Sequence, residues 1–310
     1  MMNQRIVFMG TPEIGAKILK GLITNGYNVV GVVTQPDKPV GRKNIITPCP
    51  TKVVAMENNI PCFQPVKIRL DFDFIKDLKP DVIITCAYGQ IVPQDLLDVP
   101  TIGSINVHGS LLPKYRGASP IQQALIHGDK ESGATVMEMI DKMDAGRMYD
   151  FEKVEVLPSD NYTSLYEKIG DAGLVCLLRM LPGYIEGTNR GIEQIEEEVT
   201  YCKKISKEEE HLSLDYTCDE FINWVRGLSE TPGGYLIYDN LVFKIFEAKK
   251  INDKVTNEIG TIVEADKQGL ILQLKDGQIA LLKVQKQGKS KMDYKSFVNG
   301  EQKILNCVLK

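Results

Sequence analysis

RIVFMGTPEIGAKILKGLITNGYNVVGVVTQ, residues 5–35, reads as strand, helix and strand. The β-branched runs RIVFMG and NVVGVVTQ flank a segment, Ile14 to Leu22, whose apolar residues recur at helical spacing. Strands joined through a helix lie parallel, because only such a crossover returns the chain to the starting edge in the same direction. The alternation continues outward. PDVIITCAYG (80–89) and TIGSINVHG (101–109) are further strands, with helices predicted over Pro50–Glu57, Phe72–Leu78 and, after the fourth strand, Ala118–Ile126. GATVMEMI (133–140) and YDFEKVEV (149–156) add two strands, and Thr163–Ile185 a long closing helix. The pattern predicts the α/β class, a Rossmann-like doubly wound sheet over residues 1–187.

From 188 to 206 the chain turns polar and acidic, with Glu196-Glu197-Glu198 ahead of the Lys203-Lys204 pair, and reads as a linker. Residues 207–310 then form a second domain. Thr217 and Glu220 make a capping box for a helix whose apolar face is Phe221, Trp224, Val225 and Leu228. Only strand-like runs follow (GYLIY, LVFKIFEA, GTIVEA, GLILQLK, IALLKVQ), with Asp239-Asn240 and Asp276-Gly277 as hairpin turns. One helix followed by short strands predicts a small β-barrel.

With 310 residues, 43% of them apolar and 25% charged, the chain is long enough to bury two cores. A net charge of −4 excludes a globally basic nucleic-acid coat, so any RNA contact is local. Seven scattered cysteines with no C-x-x-C pair read as reduced thiols, and the N-terminal apolar run is too short for a signal peptide. A soluble, cytoplasmic chain with no membrane contact is expected.

In SINVHGSLLPKYRG (104–117) strand alternation puts Asn106 and His108 on one face, with Ile105 and Val107 turned the other way. Ligands bind at the carboxyl ends of strands in open α/β sheets. There an amide N–H stabilises a developing oxyanion and an imidazole moves a proton, which suits attack by an amine on an acyl carbon. The same residues also read as strand-end polar groups satisfied by neighbouring backbone. Asp144, in the loop after the strand ending at Ile140, is placed to return to this crevice, where a carboxylate favours a protonated imidazole and fixes its orientation. Taken alone it reads first as a turn-forming aspartate before a glycine, and Asp141 is a rival that spacing does not separate from it.

Other chemistries find less support. Three histidines without H-E-x-x-H or paired-cysteine spacing predict no metal; His127 reads as a helix-end residue and His211 as a solvated one. Ser110 lacks the G-x-S-x-G elbow of a nucleophile and reads as loop support. Gly10-Thr11-Pro12 matches neither dinucleotide nor Walker spacing and supports at most a phosphate-tolerant turn. The Pro36–Pro48 excursion is long for a compact domain and carries Arg42 and Lys43, which read either as phosphate contacts or as a solvated tip. KVQKQGKSK, with Lys286, Lys289 and Lys291, is a basic run of a kind that is usually just solvated.

INVHGSLLPKYRGASPIQ (105–122) resembles the signature of the folate-dependent formyltransferases, and nearly the whole chain is similar to their methionyl-tRNA formyltransferase branch. The resemblance implies direct formyl transfer from 10-formyltetrahydrofolate to the amine of initiator methionyl-tRNA, without a metal or an acyl-enzyme, by a monomeric protein. It places the catalytic residues on Asn106, His108 and Asp144, and the folate contact on Ser110, Leu111, Leu112 and Pro113. It places the loop that reaches the tRNA acceptor end on the Pro36–Pro48 excursion, with Arg42 as its key residue, and makes the second domain an oligonucleotide-binding-type barrel; Lys43, Lys286, Lys289 and Lys291 are the further candidate tRNA contacts. Two motifs depart from the family pattern. The usual Asp-Thr-Gly is Asp144-Ala145-Gly146, and the second-domain motif Ser229–Tyr235 lacks its asparagine-proline start. The same catalytic segment serves amino-sugar nucleotide formyltransferases, glycinamide ribonucleotide formyltransferase and formyltetrahydrofolate hydrolases. A silent RNA-binding module on the same fold is the rival from another class.

Overall fold

A computed structural model describes residues 2–41 and 44–310. β1 (Met2–Gly10), α1 (Glu13–Thr24) and β2 (Tyr27–Val33) form the opening unit, with Ile14, Ile18, Leu19 and Leu22 on the buried side of α1. The chain continues through β3 (Lys38–Val40), β4 (Ile45–Thr47), α2 (Pro50–Glu57), β5 (Cys62–Phe63), α3 (Asp73–Asp77), β6 (Val82–Cys86) and α4 (Gln94–Leu97). Next come β7 (Gly103–His108), β8 (Arg116–Gly117), α5 (Pro120–Ile126), β9 (Glu131–Glu138), β10 (Met148–Glu155), α6 (Tyr162–Ile185) and β11 (Tyr201–Cys202).

One seven-stranded sheet has the order β10-β9-β7-β6-β1-β2-β5. From β7 to β5 all neighbours are parallel, and β9 runs antiparallel to β7. The chain builds outward from β1 to β2 and β5, then returns to the other side at β6, so the order reverses between β1 and β6. Thr11 ties that reversal together: its Oγ1 donates to Tyr88 O at 3.0 Å and accepts from Gln35 N at 3.2 Å. Val7, Met9, Val33, Ile68, Ile75, Ile83 and Leu96 make the core on one face. On the other face α6 lies so close that a Cβ on Gly173 would come 2.8 Å from Val107 Cγ1.

The excursion read as a loop contains a two-stranded ribbon, β3 against β4, with Val40, Ile45 and Ile46 exposed. Its base is anchored by Lys52, which bonds Asp37 at 2.5 Å and Gln64 at 2.6 Å. Asp37 is held below the usual carboxylate range chiefly by that lysine.

The first compact unit comprises Met1–Pro120, Ser132–Val154 and Tyr166–Cys202. Residues 188–202, read as linker, therefore belong to this unit. The polar composition that suggested a solvated connector serves hydrogen bonding: β11 pairs with β8, Arg116 N donates to Thr200 O, and Met148 and Ile192 exchange backbone bonds.

The second unit comprises Ile121–Glu131, Glu155–Leu165 and Lys203–Lys310. α5 falls here because it packs on α7 (Cys218–Leu228); a Cβ on Gly227 would meet Ile126 Cγ1 at 2.8 Å. α7 opens on the expected capping box and buries Phe221, Val225 and Leu228, while Trp224 is only partly buried and stacks on Tyr216. β12 (Gly234–Tyr238), β13 (Leu241–Asn252), β14 (Ile262–Ala265), β15 (Leu270–Leu274) and β16 (Gly277–Lys286) form an antiparallel sheet, order β12-β13-β16-β15-β14, with β17 (Met292–Asp293) against β16 and α8 (Tyr294–Gly300) following. The tail joins its two edges. Leu309 N and Cys307 O bond Gly260 and Ile262 at one end, while Lys310 and Ile237 exchange bonds at the other. Asp239 and Asn240, both at positive φ, make the expected turn. The second turn is displaced by one residue: Leu274 pairs with Gly277, so Lys275-Asp276 is the loop, and the Asp276 carboxylate accepts from Cys218 N.

Candidate active site

The β6–β7 register sets Thr85 opposite Asn106, so both side chains project on one face. Thr85 Oγ1 donates to Asn106 Oδ1 at 2.7 Å. With its oxygen engaged, the amide turns its N–H groups outward, the polarity an oxyanion needs. Thr85 was missed in the sequence because it sits inside the apolar run PDVIITCAYG. Thr85→Val keeps the shape and removes the hydroxyl; it should lower kcat about tenfold with little change in KM, read by steady-state kinetics.

His108, two residues on, is buried at 6% exposure. Its Nε2 lies 2.9 Å from Tyr115 O. A carbonyl only accepts, so Nε2 carries the hydrogen of this bond. Nδ1 faces Asp144 Oδ2 at 3.8 Å. Asp144 holds the left-handed conformation at φ 50° and accepts from Gly117 N at 2.8 Å. The rival Asp141 is exposed. Structure thus brings Asn106, His108 and Asp144 together and sets Asp141 aside.

Thr135, opposite His108 across β7 and β9, pins the SLLP loop: its Oγ1 donates to Ser110 O at 2.7 Å and accepts from Leu112 N at 3.1 Å. Ser110 Oγ is spent on Lys114 O at 2.6 Å, which agrees with loop support. Ser110, Leu112 and Pro113 are buried, leaving Leu111 as the half-buried side chain of the four. His127 and His211 are exposed; His211 also stacks on Tyr235 and bonds Lys310 O.

Of the basic residues, Arg42 and Lys43 lie outside the described residues. Lys286 pairs with Glu301 at 2.7 Å and sits over the Tyr238 ring. Lys291 pairs with Glu230 and sits over Phe246. Lys289 is exposed. Among the described residues no group of His, Cys, Asp and Glu is arranged to hold a metal, and no helix is long and apolar enough to cross a membrane.

An oriented amide beside a carboxylate-facing imidazole, at the strand ends of a doubly wound sheet, is chemically suited to acyl transfer to an amine. Residues 4–181 match the Formyl transferase family and residues 204–302 its C-terminal domain, and the chain belongs to that family. More particularly, it is 44% identical to the methionyl-tRNA formyltransferase of Bacillus pumilus over 299 residues, 96% of this chain and 94% of that one. Solved structures share the fold at lower identity. HypX from Aquifex aeolicus in complex with tetrahydrofolic acid matches with a TM-score of 0.68 and 16% identity, over 96% of this chain and 47% of its own. An N-formyltransferase from Helicobacter canadensis, in complex with folinic acid and dTDP-3-aminofucose, matches with a TM-score of 0.68 and 19% identity, over 92% and 100%.

Proposed function

We propose that the chain transfers the formyl group of 10-formyltetrahydrofolate to the α-amine of methionine on initiator methionyl-tRNA. The observation that carries this reading is the Asn106 amide, aimed by Thr85 beside the His108–Asp144 pair, in a chain similar along its length to methionyl-tRNA formyltransferases. The amine lone pair forms a bond to the formyl carbon, and the carbonyl electrons move onto oxygen. Asn106 Nδ2 donates to that oxygen, and His108 opposes its charge as imidazolium, with Asp144 beside Nδ1. Collapse breaks the bond between the formyl carbon and the folate N10, and the proton that the attacking amine sheds on bonding to carbon ends on N10 as it leaves.

The donor contact falls on the loop Ser110, Leu111, Leu112 and Pro113, through main chain and the Leu111 side chain, because Ser110 Oγ is already engaged. For tRNA, Arg42 and Lys43 remain the first-domain candidates. In the second, antiparallel domain Lys289 is the exposed contact, whereas Lys286 and Lys291 exchange Glu301 and Glu230 for phosphates. Seven unpaired cysteines accord with the reducing cytoplasm, where the chain acts as a monomer without a metal.

Only the unprotonated amine attacks, so the rate should fall as pH drops from neutrality to about 6, and a flat profile with chemistry limiting would count against direct attack. Supplied with formyl donor and methionyl-tRNA, the protein should produce formylmethionyl-tRNA. In His108→Ala turnover should collapse while tRNA binding persists; a wild-type chain that binds tRNA and never turns over is a silent module instead.

A further inference from the structure

We infer that Gln194 is a positioning residue for Asp144, an assignment that rests on the formyl-transfer reading above. Gln194 sits in the acidic stretch whose composition suggests a mere connector, yet it is 9% exposed. Its Nε2 donates to two main-chain carbonyls of the aspartate loop, Asp144 O and Gly146 O, each at 2.8 Å. Those carbonyls flank Ala145, so one amide group spans the turn that carries the carboxylate facing His108. Asp144 itself is at φ 50°, a conformation that persists for a non-glycine residue only where surroundings hold it.

The other end of the same amide is fixed as well. Gln194 Oε1 accepts from Arg116 Nε at 2.9 Å. Arg116 is wholly buried, and its Nη2 reaches Glu196 Oε1 at 3.0 Å; that guanidinium holds the Glu196 carboxyl below its usual range. Arg116 stands between the two backbone groups that touch the catalytic pair: Tyr115 O bonds His108 Nε2, and Gly117 N bonds Asp144 Oδ2. The path Arg116–Gln194–Asp144 therefore closes a ring with Gly117. Position of the carboxylate and of the imidazole's carbonyl anchor is set by one connected group of bonds. Flanking pairs Lys142–Glu196 at 3.4 Å and Arg147–Glu193 at 2.7 Å lie on exposed side chains and add little hold of their own. Within the first unit, the buried amide and the Gly117 N–H hold the loop from its two sides.

The test compares Gln194→Met with Gln194→Glu, using methionyl-tRNA and 10-formyltetrahydrofolate and counting active sites by burst or single-turnover amplitude. Methionine keeps length and volume but loses both donors and the acceptor. Glutamate keeps an acceptor for Arg116 and loses the two donors. Both variants should lose 10- to 100-fold in kcat per folded site, with KM for either substrate within about threefold of wild type. A folded variant with wild-type kcat, or full recovery in Gln194→Glu, overturns the inference, since the donors to Asp144 and Gly146 would then do nothing for the reaction. If Gln194→Met fails to fold, Gln194→Asn retains the amide and withdraws it by one methylene, and the same kcat loss is required of it. Absence of turnover in the wild type would instead overturn the formyl-transfer reading, so the two failures are distinguishable.

Discussion

Asn106→Ala should cut kcat by about 10² to 10³, a loss of about 3–4 kcal/mol of transition-state stabilisation, while leaving KM for both substrates nearly unchanged. In the proposed transfer the amide donates to the oxygen where charge develops, and its own oxygen is held by Thr85 Oγ1. Alanine removes the donor without burdening the fold, because Asn106 is not fully buried and its partner Thr85 keeps a second contact at Met139. Single-turnover formylation separates this from a binding defect. An Asn106→Ala enzyme with wild-type kcat would mean that the oxyanion is held elsewhere.

Gly117→Ala carries the second large effect, and it falls on stability as well as rate. Gly117 is at φ 123°, and a Cβ there would sit 2.1 Å from Cys202 O. Backbone strain and overpacking each cost about 1–3 kcal/mol, so a total of about 2–6 kcal/mol is expected in denaturant unfolding. The clash pushes against β11, so relief moves the N–H that holds Asp144 Oδ2, and kcat should drop with stability. Gly187→Ala is the control. It also has positive φ, 71°, but nothing lies within 4 Å of its added Cβ. It should cost about 1 kcal/mol and leave kcat alone.

The fold was readable where pattern is local. β1, α1 and β2 announce themselves by period, and so does the capped helix at Thr217, because burial of one face imposes the spacing. β8 and β11 have no such signature. Two-residue strands exist only because partners some 80 positions apart meet, and composition points the other way at Glu196–Glu198. The same logic divides the site. Asn106 and His108 share a strand face, which alternation exposes, but the choice of Asp144 over Asp141 depends on how a loop curls back to Gly117 N. Thr85 and Gln194 were silent for opposite reasons. One hides in an apolar strand and the other in a polar stretch, and only the register of β6 on β7 and the packing of Arg116 give them roles.

Chemistry and acceptor rest on different residues. An N-formyltransferase solved in complex with dTDP-3-aminofucose shares the fold with a TM-score of 0.68. On the proposed function, the choice of amine falls to the second domain and to the excursion bearing Arg42 and Lys43. The most direct measurement supplies 10-formyltetrahydrofolate and sets initiator methionyl-tRNA, elongator methionyl-tRNA and an amino-sugar nucleotide against one another under kcat/KM conditions. Preferential formylation of the initiator is the expected result; formylation of the sugar alone would contradict it.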